Sequence, residues 1–215
     1  MALTYYKATR PDGTDFHTGT IDYAAALASG EVIKHPAAKM VRDDPATYLS
    51  VSVHAANCTG MRWPCRLFRV EPVGRTLTAS INDSKRACRA LRVVEELPAH
   101  LALGPQGEQV AALIERVRRL TAVEVERLAA AWDAVWDGAR DAAWDAAWDA
   151  VWDAARDGAR DAAWDAVWDA VWVTSRVGAR DASLALLTRD LISTEHYDTL
   201  IGPWRDVIGT PPEGE

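Results

Sequence analysis

Between residues 130 and 183 the chain reads AAWDAVWDGARDAAWDAAWDAVWDAARDGARDAAWDAVWDAVWVTSRVGARDAS, a four-residue repeat that restricts the fold more than any other segment. Trp or Arg stands at every fourth position from Trp132 to Arg180. Eight of the ten tryptophans lie here: Trp132, Trp136, Trp144, Trp148, Trp152, Trp164, Trp168 and Trp172. Asp follows in each tetrad from Asp133 to Asp169, giving Asp133, Asp137, Asp141, Asp145, Asp149, Asp153, Asp157, Asp161, Asp165 and Asp169. No proline occurs between Pro105 and Pro203. Alanine is the strongest helix former, so the tract predicts helix. Thr121 and Glu124 have the spacing of a capping box, which sets its start.

An α-helix turns about 100° per residue, so a four-residue stripe drifts by about 40° per tetrad. Trp144, Trp148 and Trp152 then share one face. Trp164, Trp168 and Trp172 lie on nearly the opposite face, with Trp132 and Trp136. Arg140, Arg156, Arg160, Arg176 and Arg180 are expected in the gaps between. A second period is superimposed, because Gly138, Gly158 and Gly178 are spaced by twenty residues. Two architectures satisfy this pattern. One is a continuous helix from Thr121 to Asp190, roughly 100 Å long at 1.5 Å per residue. The other folds back at the glycines. An interior Gly costs only about 1 kcal/mol relative to Ala, and no Pro or Asn-Gly interrupts the tract. The expectation is therefore a continuous or gently kinked helix that buries its tryptophans against other elements. Each buried Trp removes roughly 150–250 Å² from water. That area makes self-association through the Trp faces the leading functional expectation.

The formal net charge is −7. From Glu124 to Asp181 there are thirteen acids against six arginines, so the acidity belongs to the repeat. An acidic decoy for a DNA-binding protein is the alternative. It is weaker on density: the ladder offers one charge per roughly 6 Å, whereas duplex DNA offers one per about 1.7 Å. A solvated face that keeps an Ala/Trp helix soluble accounts for the aspartates. The lack of a basic stripe argues against direct nucleic-acid binding. No leader and no apolar run of membrane-spanning length is read, and three cysteines fit a reducing cytoplasm rather than a disulfide framework.

Residues 1–97 predict a mixed, strand-rich domain. LTYYKATR, TYLSVSVH and CRLFRVEPVG alternate as strands, the last stopped by Pro72 and Gly74, and PDGT is a turn. NDSKRACRALRVVEEL predicts a helix capped by Asn82 or Asp83. Residues 98–120 predict a linker and a short amphipathic helix, and 121–190 the repeat module. Residues 191–215 predict a last helix, ended by Gly202 and Pro203, and a tail. The fold class is α+β.

Catalytic signatures are sparse. P-loop, GxGxxG, HExxH and GxSxG patterns are absent from the sequence, and no cofactor is expected. His54, Cys58, Cys65 and Cys88 are a weak zinc set, lacking a close CxxC pair; buried reduced thiols are the simpler reading. Arg10, Ser50 with Ser52, and Glu71 fall in the order in which ADP-ribosyltransferases place Arg or His, Ser-x-Ser and Glu on successive strands. This resemblance implies an NAD-consuming enzyme. The family's Glu-x-Glu or Gln-x-Glu is missing, since Arg69 and Val70 precede Glu71.

The segments YYKATRPDGTDF, CTGMRWPCRLFRVEPVG, RVVEELPAH and ALGPQGE, with the AWDA/ARDA repeat and HYDTLIGPW, resemble uncharacterised proteins of actinobacteria and their phages. The resemblance implies a small accessory protein carried by a phage or prophage. It assigns no functional residue.

Overall fold

The computed structural model describes residues 4–37, 39–41, 44–58, 61–78, 84–135, 137–153, 157–170 and 176–210; the side chains of 137, 157, 158, 167–170, 176 and 177 are outside that description. Trp136, Trp168, Trp172, Asp137, Asp157 and Asp169, expected as contact or acidic-face residues, therefore lie outside the described side chains. The fold is α+β, in two compact units that divide between Ala102 and Leu103. No helix among the described residues is long and apolar enough to cross a membrane.

In the first unit, seven strands form one antiparallel sheet: β1 (Tyr5–Thr9), β2 (Val32–Lys34), β3 (Leu49–Ser52), β4 (Arg66–Pro72), β5 (Thr76–Thr78), β6 (Lys85–Cys88) and β7 (Ala90–Leu97). Their spatial order is β2-β7-β4-β1-β3-β6-β5. Helix α1 (Tyr23–Ser29) is capped by the Asp22 side chain and closed by Gly30. The core joins Tyr5, Tyr23, Leu49, Val51, Phe68, Val70, Cys88, Leu91 and Val93. The helix expected across NDSKRACRALRVVEEL is corrected to β6 and β7. Burying Leu91 and Val93 on one face, with Arg92 between them exposed, is period-two patterning. The β7 segment also gains a full ladder with β4, from Leu67 opposite Leu97 to Pro72 opposite Leu91. β4 ends at Pro72, as expected.

Among the described residues the second unit has six helices: α2 (Gly107–Val117), α3 (Ala122–Asp133), α4 (Asp137–Asp153), α5 (Asp157–Ala170), α6 (Arg176–Thr188) and α7 (Thr194–Ile208). The capping box at α3 forms as expected, with Thr121 and Glu124 exchanging side-chain-to-backbone bonds. The continuous rod does not form. Trp144 and Trp164 would stand about 30 Å apart on a straight helix, yet their ring centroids are 5.6 Å apart. Trp148 meets Arg160 as Trp144 meets Trp164, so α4 and α5 run antiparallel. Each glycine-to-glycine repeat thus supplies one helix.

Helix α6 occupies the middle and packs against α2, α3, α4, α5 and α7. Among its described side chains from Gly178 to Thr188, all but Arg180 are buried. A helix apolar all round is an interior helix. Gly178 explains one approach: a Cβ there would lie 1.9 Å from Nε1 of Trp132. Helix α7 continues through Gly202 and Pro203 to Ile208, against the expected stop. An interior proline costs about 3 kcal/mol, and burial of Ile201, Pro203 and Trp204 offsets it.

Candidate functional site

Strands β1 and β3 share a single register pair, Tyr6 opposite Ser52. Each is well paired on its other side, β1 to β4 and β3 to β6. The sheet therefore splits along this seam, and backbone groups that would otherwise bond across it need other partners. One is supplied by Lys7, whose ammonium donates to the Ser50 carbonyl at 3.4 Å and lies 5.6 Å from the centre of the Tyr23 ring.

A cavity of about 750 Å³ is lined by residues from both sides of the split, among them Lys7, Ser50, Ser52, Cys58 and Lys85. Tyr23, Tyr48, Phe16 and Pro45 add flat apolar wall, and Asp15, His17, Thr18 and His35 add to the polar lining. That volume lies in the range of small-molecule sites, and the mixture of apolar wall with few polar groups is what such sites use.

The loop from Asp15 to Ile21 is rigidly tied. Asp15 accepts from the Thr18 amide at 2.6 Å, the Thr18 hydroxyl at 2.7 Å, the Thr20 amide at 3.1 Å and the Ile21 amide at 3.0 Å. Burial pushes this carboxyl up, but the donors outweigh burial and hold it down to about 2. Asp15 is thus an ionised loop organiser and not a proton carrier. Arg10 supports the same loop from outside. It donates to the Phe16 carbonyl at 3.2 Å, and its guanidinium leaves no room for a Cβ at Gly19, whose φ is +69°.

Burial lowers the pKa of both Lys7 and Lys85, and Lys7 lowers that of Lys85 further by repulsion. Both amines line the one cavity. Burial pushes the Cys58 thiol up, which leaves it a poor nucleophile. Cys65 and Cys88 are each pushed up to about 12, also by burial.

The structure separates the residues grouped by sequence. Ser50 and Ser52 line the cavity, but Arg10 and Glu71 do not. Glu71 is exposed on β4 with Arg69 at 3.6 Å. The ADP-ribosyltransferase order is therefore not gathered into one site. Ser52 also has its hydroxyl committed to the Asn57 carbonyl at 2.9 Å. The weak zinc set is not gathered either: His54 is exposed, while Cys58, Cys65 and Cys88 are free and buried, and Cys88 donates to the Leu49 carbonyl at 3.6 Å. Among the described residues no group of three or more His, Cys, Asp or Glu could hold a metal ion. Sequence reasoning missed Lys7, Lys85 and Asp15. Their one local signal was charge inside or beside apolar alternation.

The helical unit holds an aromatic cluster. Trp144 and Trp148 stack at 5.6 Å, and Trp164 closes on them at 5.6 and 5.2 Å. Arg160 lies 4.4 Å from the Trp148 ring and Arg180 4.3 Å from that of Trp164. Trp132 is buried, whereas Trp152 is 69% exposed. Asp133, Asp141, Asp145, Asp149, Asp153, Asp161 and Asp165 are all exposed.

No protein-family model, curated protein or solved structure matches this chain.

Proposed function

We propose that this chain is a non-catalytic binding protein whose first unit takes a small molecule in the cavity at the β1–β3 split. The observation that carries the reading is the cavity itself, about 750 Å³ with flat walls and a small convergent polar set. The absence of an assembled nucleophile–base pair among its described lining residues supports binding over turnover. Asp15 is saturated with donors, Cys58 is held as a thiol, and Ser52 is bonded to the Asn57 carbonyl. Ligand-observed NMR with a mixed set of small aromatic and aliphatic compounds tests this. Saturation transfer is expected from the wild type and not from Ser50→Trp, which fills the cavity. Equal transfer from both, or none from the wild type, overturns it.

A second reading concerns the helical unit, as a module for self-association or for another protein. Trp152 favours it, since a tryptophan 69% exposed is unusual outside a contact surface. The solvated aspartates suit a soluble display face better than a DNA mimic. Light scattering should find a concentration-dependent oligomer that Trp152→Ser weakens. A monomer throughout the micromolar range removes the self-association half of this reading.

A further inference from the structure

We infer that Lys7 is a covalent capture site, whose amino group forms an imine with an aldehyde or ketone seated on the flat walls of the cavity at the β1–β3 split. This deepens the binding reading above and rests on it. Lys7 lines the cavity, and so do both groups that position its amine. These are the Ser50 carbonyl at 3.4 Å and the Tyr23 ring at 5.6 Å. Among the described residues no carboxylate pairs with the amine: the Asp15 oxygens receive the Thr18, Thr20 and Ile21 donors instead. One long bond to a carbonyl and one ring contact do not require a charge, because a neutral amine donates to both and keeps its lone pair. Burial is also the largest influence on this group, and it lowers the pKa against smaller opposite pulls from Cys58, Asp15 and Cys88. A lysine desolvated beside apolar walls is the form of that residue which attacks carbonyl carbon.

The chemistry needs nothing beyond the two partners. The nitrogen lone pair adds to the carbonyl carbon, the C–N bond forms, and the C=O double bond becomes a single bond. One amine proton passes to the oxygen, which gives a carbinolamine. The new hydroxyl then leaves with the second amine proton as one water, and C=N forms. Nothing is oxidised or reduced, and water reverses the step. The second proton is the one held toward Ser50, and a bond of 3.4 Å is weak enough to give up. Two other nucleophile types in the lining are poorly placed for this attack. Cys58 is held as a thiol by burial, and the Ser52 hydroxyl is committed to the Asn57 carbonyl. The body of the ligand follows from the walls: Phe16, Tyr23, Tyr48 and Pro45 suit an aryl or alkenyl carbonyl compound. Without an assembled base to carry it further, the imine is a means of holding the ligand and not of transforming it.

The sequence has three other lysines, Lys34, Lys39 and Lys85, which serve as internal references. Lys34 and Lys39 are exposed. The full chain is incubated at pH 7 with limiting benzaldehyde labelled with ¹³C at its carbonyl, then reduced with cyanoborohydride and mapped by peptide mass spectrometry. Lys7 is expected to carry the benzyl group at about tenfold or more the extent of Lys34 and Lys39, because burial frees its lone pair. Before reduction, the ¹³C signal should move from the aldehyde to the imine range, a readout that does not depend on the reductant reaching the site. Lys7→Met should lose that signal, with its melting curve recorded beside it; should it fail to fold, the mapping in the wild type decides. Ser50→Trp should abolish labelling at Lys7 and leave Lys34 and Lys39 unchanged. Labelling of Lys7 no greater than that of Lys34 and Lys39, or labelling of Lys85 in its place, overturns the imine inference. So does undiminished labelling of Lys7 in Ser50→Trp. In each case the saturation-transfer comparison of wild type with Ser50→Trp decides the cavity reading separately.

Discussion

The indole N–H of Trp144 on α4 donates to Oδ1 of Asp181 on α6 at 2.7 Å, across 37 residues of sequence. Asp181 is the third copy of a position whose first two copies, Asp141 and Asp161, are exposed. In the third copy it is 2% exposed, and its Oδ2 has no hydrogen-bond partner. One degenerate repeat has thus turned a solvated aspartate into a buried anchor for the tryptophan cluster.

That burial has a pH signature. Desolvation pushes Asp181 up to about 6, although the Trp144 bond and the charges of Arg180 and Arg140 pull the other way. Its folded pKa is above the unfolded value, so between about pH 4 and 6 the folded state binds more protons. Stability therefore falls as pH rises through this window, by up to about 3 kcal/mol from this one group. Asp181→Asn keeps an acceptor for Trp144 and removes the titration. Urea unfolding should find it more stable than wild type by about 1 kcal/mol or more at pH 7, with the advantage shrinking toward pH 4.5. A pH-independent difference would contradict the assignment.

Gly178 sets the spacing of α3 and α6. Its missing Cβ would sit 1.9 and 2.2 Å from Trp132 Nε1 and Cδ1, and 3.1 Å from Leu128 Cγ. Gly178→Ala gains helix propensity, about 1 kcal/mol, but must displace a buried indole. We expect net destabilisation of about 1–3 kcal/mol, as for other overpacked cores. In a Trp132→Leu background the same change should cost little or stabilise. Additive costs in a double-mutant cycle would show that the two residues are not coupled.

The arginines within the tract act as ring partners. Arg160 is 12% exposed in its side chain, lies 4.4 Å from the Trp148 ring and 5.6 Å from that of Trp164, and pairs with Asp161 at 2.7 Å. The pairing with an exposed Asp161 is worth little. The stacking is worth more, because the ring faces are half-buried and the guanidinium is planar. Arg160→Lys should therefore cost about 1 kcal/mol, and Asp161→Asn within about 0.5 kcal/mol of nothing. The reverse order in denaturation midpoints would assign the stabilisation to the ion pair.

The helical character of the tract was legible from alanine content, and its start from Thr121 and Glu124. The folding back was not. Angular reasoning placed the tryptophans on two faces, but in α4 the ridge that reaches the core is the residue before each one. Ala143, Ala147 and Val151 are fully buried, at i, i+4 and i+8, while Trp144 and Trp148 flank them half-buried. Small residues let helices approach, and ridges of this spacing are what helices pack with. A count of aromatic area overlooks them. In the first unit, β1, β3 and β4 were legible from alternation. The segment 85–97 was not, because Arg, Ala and Leu favour helix locally and only the pairing with β4 overrides them. The split between β1 and β3 depends on a partner of low sequence proximity, so neither Lys7 nor Lys85 signalled a shared cavity.

Asp15 makes the cavity loop acid-sensitive. Held down to about 2 by the Thr18, Thr20 and Ile21 donors against the upward push of burial, it contributes stability that is fully present above its unfolded value near 4. That contribution is lost as pH falls from about 4 through about 2. Because the donors all lie between Thr18 and Ile21, the loss should appear first as local opening. Amide exchange of Thr18, Thr20 and Ile21 should quicken in this range before the β4 and β7 amides do. At pH 7, Asp15→Ala should leave those amides unprotected and reduce small-molecule binding in the cavity, while β4 and β7 stay protected. Unchanged protection at Thr18 and Ile21 in that variant would show that the loop is held by other contacts, with Arg10 at the Phe16 carbonyl the first to examine.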